Sequence, residues 1–390
     1  MFCWPVPDEE KELPHKVECE ADIAPVIHYY FNEIDKCDVD TQYGIYKNNS
    51  GSKQNEECIK QVKNYLLKEE HAHSKLVYIT HGFYSKESPN HWLYKLKDAL
   101  ISRYPEKNLV VGIVYWVKGA RWFKDKDTAS NSTKEVSNRE SSLWKFATSM
   151  EAICCIAKTI QSDDTRYGVA AVTTWTIGNI IGYVHESILD DEKDHSKIKT
   201  YCIGHSLGAH VCGFFGKMMK HLKPNDEYSL TKIVGLDPAG PLFDYHNHHF
   251  NLRLNKSDAK LVEVFHTNTL HLGFTDPIGH IDFYINGGGS QYWCHIPNSN
   301  LGFIELILLG SSTEATNTIT CAHEYAHFFL KHLAINMVPC YATWKTTNRN
   351  LIEGSQSTIF YPGSLEPNNI PFGKHYLYIR PNTSKECKSF

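Results

Sequence analysis

The richest chemistry in the sequence lies in Tyr201-Cys202-Ile203-Gly204-His205-Ser206-Leu207-Gly208-Ala209-His210, where a β-rich run meets G-x-S-x-G and continues as a helical segment through Lys217. A serine flanked by glycines two positions away suits a tight strand-to-helix turn, because small residues let the strained backbone pass close to its neighbours. Such a serine is presented for nucleophilic attack, and the helix after it aims its first N–H groups, that of Leu207 included, at a developing oxyanion. The chemistry this permits is acyl transfer. A second oxyanion donor has to come from the loop after an earlier strand. The run Val77-Tyr78-Ile79-Thr80-His81-Gly82-Phe83 ends in such a loop and offers the Phe83 N–H, although a His-Gly pair after a strand also serves as a plain turn.

The order that goes with this serine turn is nucleophile, acid, histidine. Asp237 is the next acid at the end of a β-run, in Ile233-Val234-Gly235-Leu236-Asp237-Pro238-Ala239-Gly240-Pro241, and Pro238 stops further strand pairing. Asp244 and Asp258 follow in polar loops, and Asp282 sits inside a β-run. Asp237 is favoured, since a strand-end carboxylate buried there needs a histidine and nearby N–H groups to bond. The histidine is not fixed by these arguments: the chain has 22, and His246, His248, His249, His266, His271, His280, His295, His323, His327 and His332 all follow Asp237. His323-Glu324-Tyr325-Ala326-His327 also satisfies H-E-x-x-H, the helical zinc signature of metallopeptidases. That alternative needs a third ligand and leaves the serine turn without a purpose.

Parallel strands must position these groups. Short β-rich runs at Leu76–Thr80, Leu109–Trp116, Lys199–Ile203, Lys232–Leu236, Leu261–His266 and Ile281–Ile285 alternate with longer helical or polar stretches, which predicts an α/β chain with a mostly parallel sheet covered on both faces. Sites in such sheets lie at the carboxyl ends of the strands. Tyr167–Val184 is apolar but carries Thr173, Thr174, Thr176 and Asn179, and reads as a helix of a folded domain. Residues 1–70 form an N-terminal extension on the core, 71–340 the main domain with a polar insertion at about 121–142, and 341–390 a short irregular β segment. A net charge of −4 without Lys/Arg runs excludes a nucleic-acid footprint. Twelve cysteines, with sequons at Asn48, Asn131, Asn255 and Asn382, predict disulfides and an extracellular protein. The first residues show neither the basic start nor the apolar stretch of a signal peptide.

The chain resembles the animal pancreatic-lipase family, which includes lipoprotein-type lipases and insect-venom phospholipases A1. The resemblance rests on His81-Gly82-Phe83, GHSLGAH at 204–210, GLDPAGP at 235–241, RLNKSDAKLVEVFHTN at 253–268, GHIDFYINGG at 279–288 and Cys321-Ala322-His323. It implies an α/β-hydrolase fold, a catalytic set of Ser206, Asp237 and His323, and an oxyanion hole from the backbones of Phe83 and Leu207. It also implies a disulfide between Cys294 and Cys321 that closes a lid over 295–320, whose apolar run Leu301–Leu309 would meet a lipid surface.

Two departures bear on partners and cofactors. Too few residues follow Cys340 for the C-terminal β-sandwich of digestive members, so no colipase-like partner is expected. Some members hold a structural calcium at the segment matching Arg253–Asp258. Asn255 stands here where an Asp is common, so no cofactor is expected, Arg253 and Asp258 being the residues that would hold the ion. The expected function is hydrolysis of glycerolipid acyl esters, of triacylglycerol or of the phospholipid sn-1 ester, at a lipid aggregate or membrane surface. The alternatives are a strict phospholipase A1 and a catalytically silent, lipid-binding, yolk-type relative.

Overall fold

A computed structural model describes the chain from 25 to 377, except 121–163, 295–313, 345–357 and shorter stretches at 32–35, 42–52, 69–73, 84–90, 105–107, 118–119, 190–196, 223–229, 245–251, 292–293, 337–339, 361–362 and 366–371. The centre of the fold is a sheet whose inner strands are buried on both faces. These strands are β3 (Lys75–Thr80), β4 (Leu109–Tyr115), β5 (Lys199–His205), β6 (Lys232–Leu236), β7 (Leu261–His266) and β8 (Ile281–Ile285). Near-continuous Val, Ile and Leu in them fits parallel strands covered on both sides.

Successive side chains go to opposite faces. Leu76, Tyr78, Val110, Cys202, Ile233 and Val262 pack beneath α1 (Lys53–Leu66), α3 (Asp164–Ile188) and α4 (Leu207–Leu222). Val77, Ile79, Val111, Ile203, Val234 and Phe283 pack beneath α2 (Trp92–Arg103) and α5 (Glu314–Asn336). No helix among the described residues is long and apolar enough to cross a membrane.

The sheet order is β10-β9-β11-β8-β7-β6-β5-β3-β4-β1-β2, with β1 (Val26–Tyr30), β2 (Lys36–Asp40), β9 (Cys340–Trp344), β10 (Thr358–Phe360) and β11 (Gly373–Leu377) at its ends. Pairing is parallel from β4 through to β11 and antiparallel at both outer ends. Both chain ends therefore add strands to the central sheet. β11 extends it beyond β8, and the preceding turn is pinned where the buried ion pair Lys232–Glu263 meets the Gly363 N–H and the Ser364 carbonyl. This is the α/β-hydrolase fold.

Candidate active site

β5 and β6 are parallel neighbours with His205 beside Leu236, so the residues that follow them emerge at the same edge of the sheet. Those residues are Ser206 and Asp237, and both have left-handed backbones, with φ of 57° and 42°. A non-glycine residue at positive φ persists only where its surroundings impose it. For Ser206 the surroundings are the Leu236 carbonyl, which accepts its N–H at 2.9 Å, and an unusually close passage of strand and helix. A Cβ on Gly204 would lie 2.1 Å from the Gly208 oxygen, and one on Gly208 would lie 2.6 Å from the His81 oxygen. The G-x-S-x-G spacing thus follows from three backbones meeting at one point.

A disulfide between Cys202 and Cys212 bridges β5 and α4 on either side of the serine. Neither sulfur is exposed.

Thr80 pairs with Gly204, which brings the His81-Gly82-Phe83 turn against the serine. A Cβ on Gly82 would fall 3.1 Å from Ser206 Oγ. Trp116 holds this turn rigid. Its ring stacks on His81 at 5.3 Å, and its indole N–H donates to the His81 carbonyl at 3.0 Å. Its backbone N–H donates to His81 Nε2 at 3.1 Å, which leaves His81 Nδ1 to donate to the Gly82 carbonyl at 2.9 Å. Phe83 in turn packs edge-on to Tyr167 of α3, whose hydroxyl donates to the Pro241 carbonyl.

Asp237 is fully buried and uses both oxygens. Oδ1 accepts from the N–H groups of Thr267 and Asn268 at 2.7 and 3.0 Å, and Oδ2 lies 2.6 Å from His323 Nδ1. Two backbone donors and an imidazole meet the cost of burying the carboxylate. His323 stands on α5, which is fixed at two points nearby. The Asn268 side chain donates to the Ile319 carbonyl at 2.6 Å, and His205 Nε2 donates to the His323 carbonyl at 3.0 Å, with the two rings 4.6 Å apart. Among the described residues His323 Nε2 has no hydrogen-bond partner, so a ring nitrogen remains for chemistry. Burial holds His205 well below the usual imidazole pKa, with the His323 ring adding to the effect, and burial lowers His327 to about 3. These two imidazoles beside the histidine–carboxylate pair are therefore neutral at neutral pH.

Ser206, Asp237 and His323, with the Phe83 and Leu207 backbones, thus lie in one neighbourhood. His327, the other histidine of the zinc-like pattern, lies flat on Trp92 at 4.7 Å, and no group of three His, Cys, Asp or Glu able to hold a metal ion occurs among the described residues. Cys294 and Cys321 are bonded, so the segment between them is closed onto α5 two residues before His323; residues 295–313 of that lid lie outside the described residues. The polar insertion at 121–142 also lies outside them. A further disulfide joins Cys37 and Cys58.

Sequence reasoning did not find the supports. Asn268, Trp116 and His205 carry no signal of their own, because each acts through a backbone atom of a distant element. His210 is similar: its Nε2 donates to the Ala239 carbonyl at 2.8 Å and its Nδ1 accepts from the Leu254 N–H at 3.1 Å, tying α4 to the loop after the acid. The last expected group, Arg253 and Asp258, lies on the far side of α4, where the Asp258 carboxylate and the Arg253 carbonyl both accept from Lys217.

The Lipase family model matches residues 138–342, more than half of the chain. Mouse (Mus musculus) hepatic triacylglycerol lipase is 31% identical over 267 residues, which are 66% of this chain and 41% of that protein. Chicken (Gallus gallus) lipoprotein lipase is 28% identical over 276 residues, 69% of this chain and 44% of that one. Rabbit (Oryctolagus cuniculus) lipase member H is 34% identical over 220 residues, 56% and 36% of the two chains. The match thus spans about two fifths of these relatives' length. With the fold, the ordered motifs and a family model running through the serine turn, the acid and the histidine, this chain belongs to the pancreatic-lipase family.

Proposed function

We propose that this chain is an extracellular lipid ester hydrolase that cleaves glycerolipid acyl esters through an acyl-enzyme on Ser206. The observation that carries the reading is the 2.6 Å contact between Asp237 Oδ2 and His323 Nδ1, next to a serine held at φ 57°. Asp237 keeps the His323 proton on Nδ1, so Nε2 is the base. Ser206 Oγ attacks the ester carbonyl as its proton passes to Nε2, and the Phe83 and Leu207 N–H groups take the oxyanion. His323 then protonates the leaving alcohol, and water repeats the sequence on the acyl-enzyme. The reaction needs no cofactor. The three disulfides among the described residues and the sequons support secretion.

The substrate reading rests on two loops. A long segment with an apolar run, closed by Cys294–Cys321, favours aggregated lipid, whereas only residues 269–278 separate Asn268 from the Gly279-His280 turn. That short loop folds back onto the acid loop, with the Phe274 N–H on the Pro238 carbonyl and the Gly240 N–H on the Leu272 carbonyl, and its shortness is what favours acceptance of a polar head group. We therefore expect interfacial activity on neutral glycerides and on the phospholipid sn-1 ester, with glycerides slightly favoured. The short loop also favours the second reading, a strict phospholipase A1.

A fluorophosphonate probe should label the native protein, and Ser206→Ala should remove both labelling and ester hydrolysis while leaving the melting profile unchanged. Labelling that persists in the variant, or activity lost on chelation and restored by zinc, defeats the mechanism; a native protein that never labels is the silent lipid binder. Turnover on emulsified triglyceride against phosphatidylcholine vesicles decides between lipase and strict phospholipase A1.

A further inference from the structure

Helix α4 carries the Leu207 N–H at its start, so whatever fixes its length against the rest of the fold also fixes the serine turn. The segment Arg253–Asp258 does this. It crosses α4 with no side chain between: a Cβ on Gly216 would lie 2.1 Å from the Asp258 oxygen, and one on Gly213 would lie 2.8 Å from Leu254 Cα. At this crossing oxygen atoms converge, as they would around a cation. The Asp258 carboxylate is 1% exposed, and its Oδ2 and the Arg253 carbonyl face the same point.

The family resemblance implies a structural calcium at the matching segment of some members, so the fit of such an ion can be tested on the residues themselves. A hard divalent cation takes six to eight oxygens and favours several carboxylates. Here there is one carboxylate, and its Oδ2 already accepts from Lys217 Nζ at 2.6 Å and from the Asn255 N–H at 2.8 Å. The Arg253 carbonyl accepts from the same Lys217 Nζ at 2.7 Å. The Asn255 side-chain oxygen is turned to the Ser257 N–H at 3.1 Å, capping the short 3-10 turn Lys256–Asp258, and the Ser257 carbonyl takes Lys220 Nζ. The Asp258 carboxylate is already shared by the Lys217 and Lys220 ammonium groups, and the Arg253 guanidinium, which interacts chiefly with Asp244 and Asp276, adds a further positive charge nearby. A divalent cation does not fit.

We propose that the Lys217 ammonium is a built-in cation that joins α4 to the 253–258 segment, so that the serine turn is anchored without calcium. Lys217 comes from α4 itself and reaches across the crossing. It bonds one oxygen from each end of the 253–258 segment, which is the work a bridging ion would do. Burial pulls the lysine down and pushes Asp258 up from their ordinary pKa values, and their mutual attraction opposes both shifts. A bound ion stabilises a fold only in proportion to the logarithm of its concentration over its dissociation constant, whereas a covalently attached ammonium is always present. The anchor therefore does not depend on the ionic composition of the medium. This inference is independent of the proposed reaction, because its readout is stability.

The test is the thermal midpoint of the full chain in calcium chloride and in EDTA, for the native protein and for Lys217→Ala combined with Asn255→Asp. The native midpoint should be the same in both media. The double variant removes the ammonium and supplies a second carboxylate. In EDTA it should melt lower than the native protein by roughly 5 °C or more, since one partner of a buried ion pair is gone. Millimolar calcium should restore much of the loss, and a double variant recoverable only from calcium-containing medium also supports the inference. A native midpoint several degrees higher in calcium than in EDTA overturns it, as does a double variant that matches the native protein in EDTA.

Discussion

Two buried aspartate–histidine pairs sit within the same sheet edge, and they are built from the same side chains for opposite ends. In the pair His266–Asp282 the imidazole uses both nitrogens, Nε2 on Asp282 at 3.0 Å and Nδ1 on the Phe274 carbonyl at 2.9 Å, and its ring lies flat on Tyr284 at 4.3 Å. Asp282 also accepts from the Ile278 and Gly279 N–H groups. In the pair His323–Asp237 the carboxylate is just as fully committed, but the imidazole keeps one nitrogen with no partner among the described residues. A buried Asp–His contact is therefore not in itself a catalytic signature. The spare nitrogen, in the neighbourhood of the proposed nucleophile Ser206, is what distinguishes the second pair.

Breaking each pair in turn should separate the two roles. His323→Ala is expected to lower kcat per folded molecule by roughly 10⁵-fold, far beyond what any fall in the melting midpoint from leaving the buried Asp237 oxygen unpaired would explain. His266→Ala is expected to leave kcat per folded molecule within a few-fold while lowering the midpoint by roughly 5 °C or more, because a buried partner is left unpaired. If His266→Ala costs as much activity as His323→Ala at equal folded fraction, the two pairs are not distinct. Exchanging the carboxylates is the next step down. Asp237→Asn should lower kcat by roughly 10⁴-fold by favouring the wrong His323 tautomer, whereas Asp282→Asn should show mainly as lost stability, read by circular dichroism alongside turnover.

The smallest expected effect concerns buried histidines that meet carbonyl, amide or ring neighbours in place of a carboxylate. Burial lowers His210 and His327 to about 3 and holds His205 well below its ordinary value. In the unfolded chain these imidazoles protonate near about 6.5. Folded values below unfolded ones mean that the unfolded state binds more protons as pH falls, so their contribution to stability is complete above that pH and is lost progressively toward about pH 3. The thermal midpoint should decline steadily from pH 7 to pH 4, and His210→Gln, which keeps a donor and an acceptor, should flatten the decline. A midpoint that rises on acidification contradicts this.

The sequence carried the inner sheet almost residue by residue, because Lys232–Leu236, Leu261–His266 and Ile281–Ile285 are apolar runs bounded by breakers, and it carried Ser206 and Asp237 through their strand-end positions. It carried the outer strands only in part, reading 341–390 as irregular β without placing any of it in the central sheet. Val26–Tyr30 and Gly373–Leu377 alternate weakly and hold Tyr, His and Lys, and they are strands only because a neighbour already fixed in the sheet offers them partners. His323 was not separable from its rivals by local pattern either. What singles it out is a contact 86 positions away, which no window of sequence contains.

The Cys202–Cys212 bridge has a practical consequence for how the nucleophile can be identified. No Lys or Arg lies between the two cysteines, and Lys199 and Lys217 flank them, so trypsin releases one peptide, 200–217, in which Ser206 sits inside a closed ring. In a mass spectrometer a single backbone break within that ring frees no fragment. A probe adduct on Ser206 would thus be weighed correctly yet stay unlocalised until the digest is reduced, and the reduced and unreduced spectra together would show that serine and ring belong to the same eighteen residues.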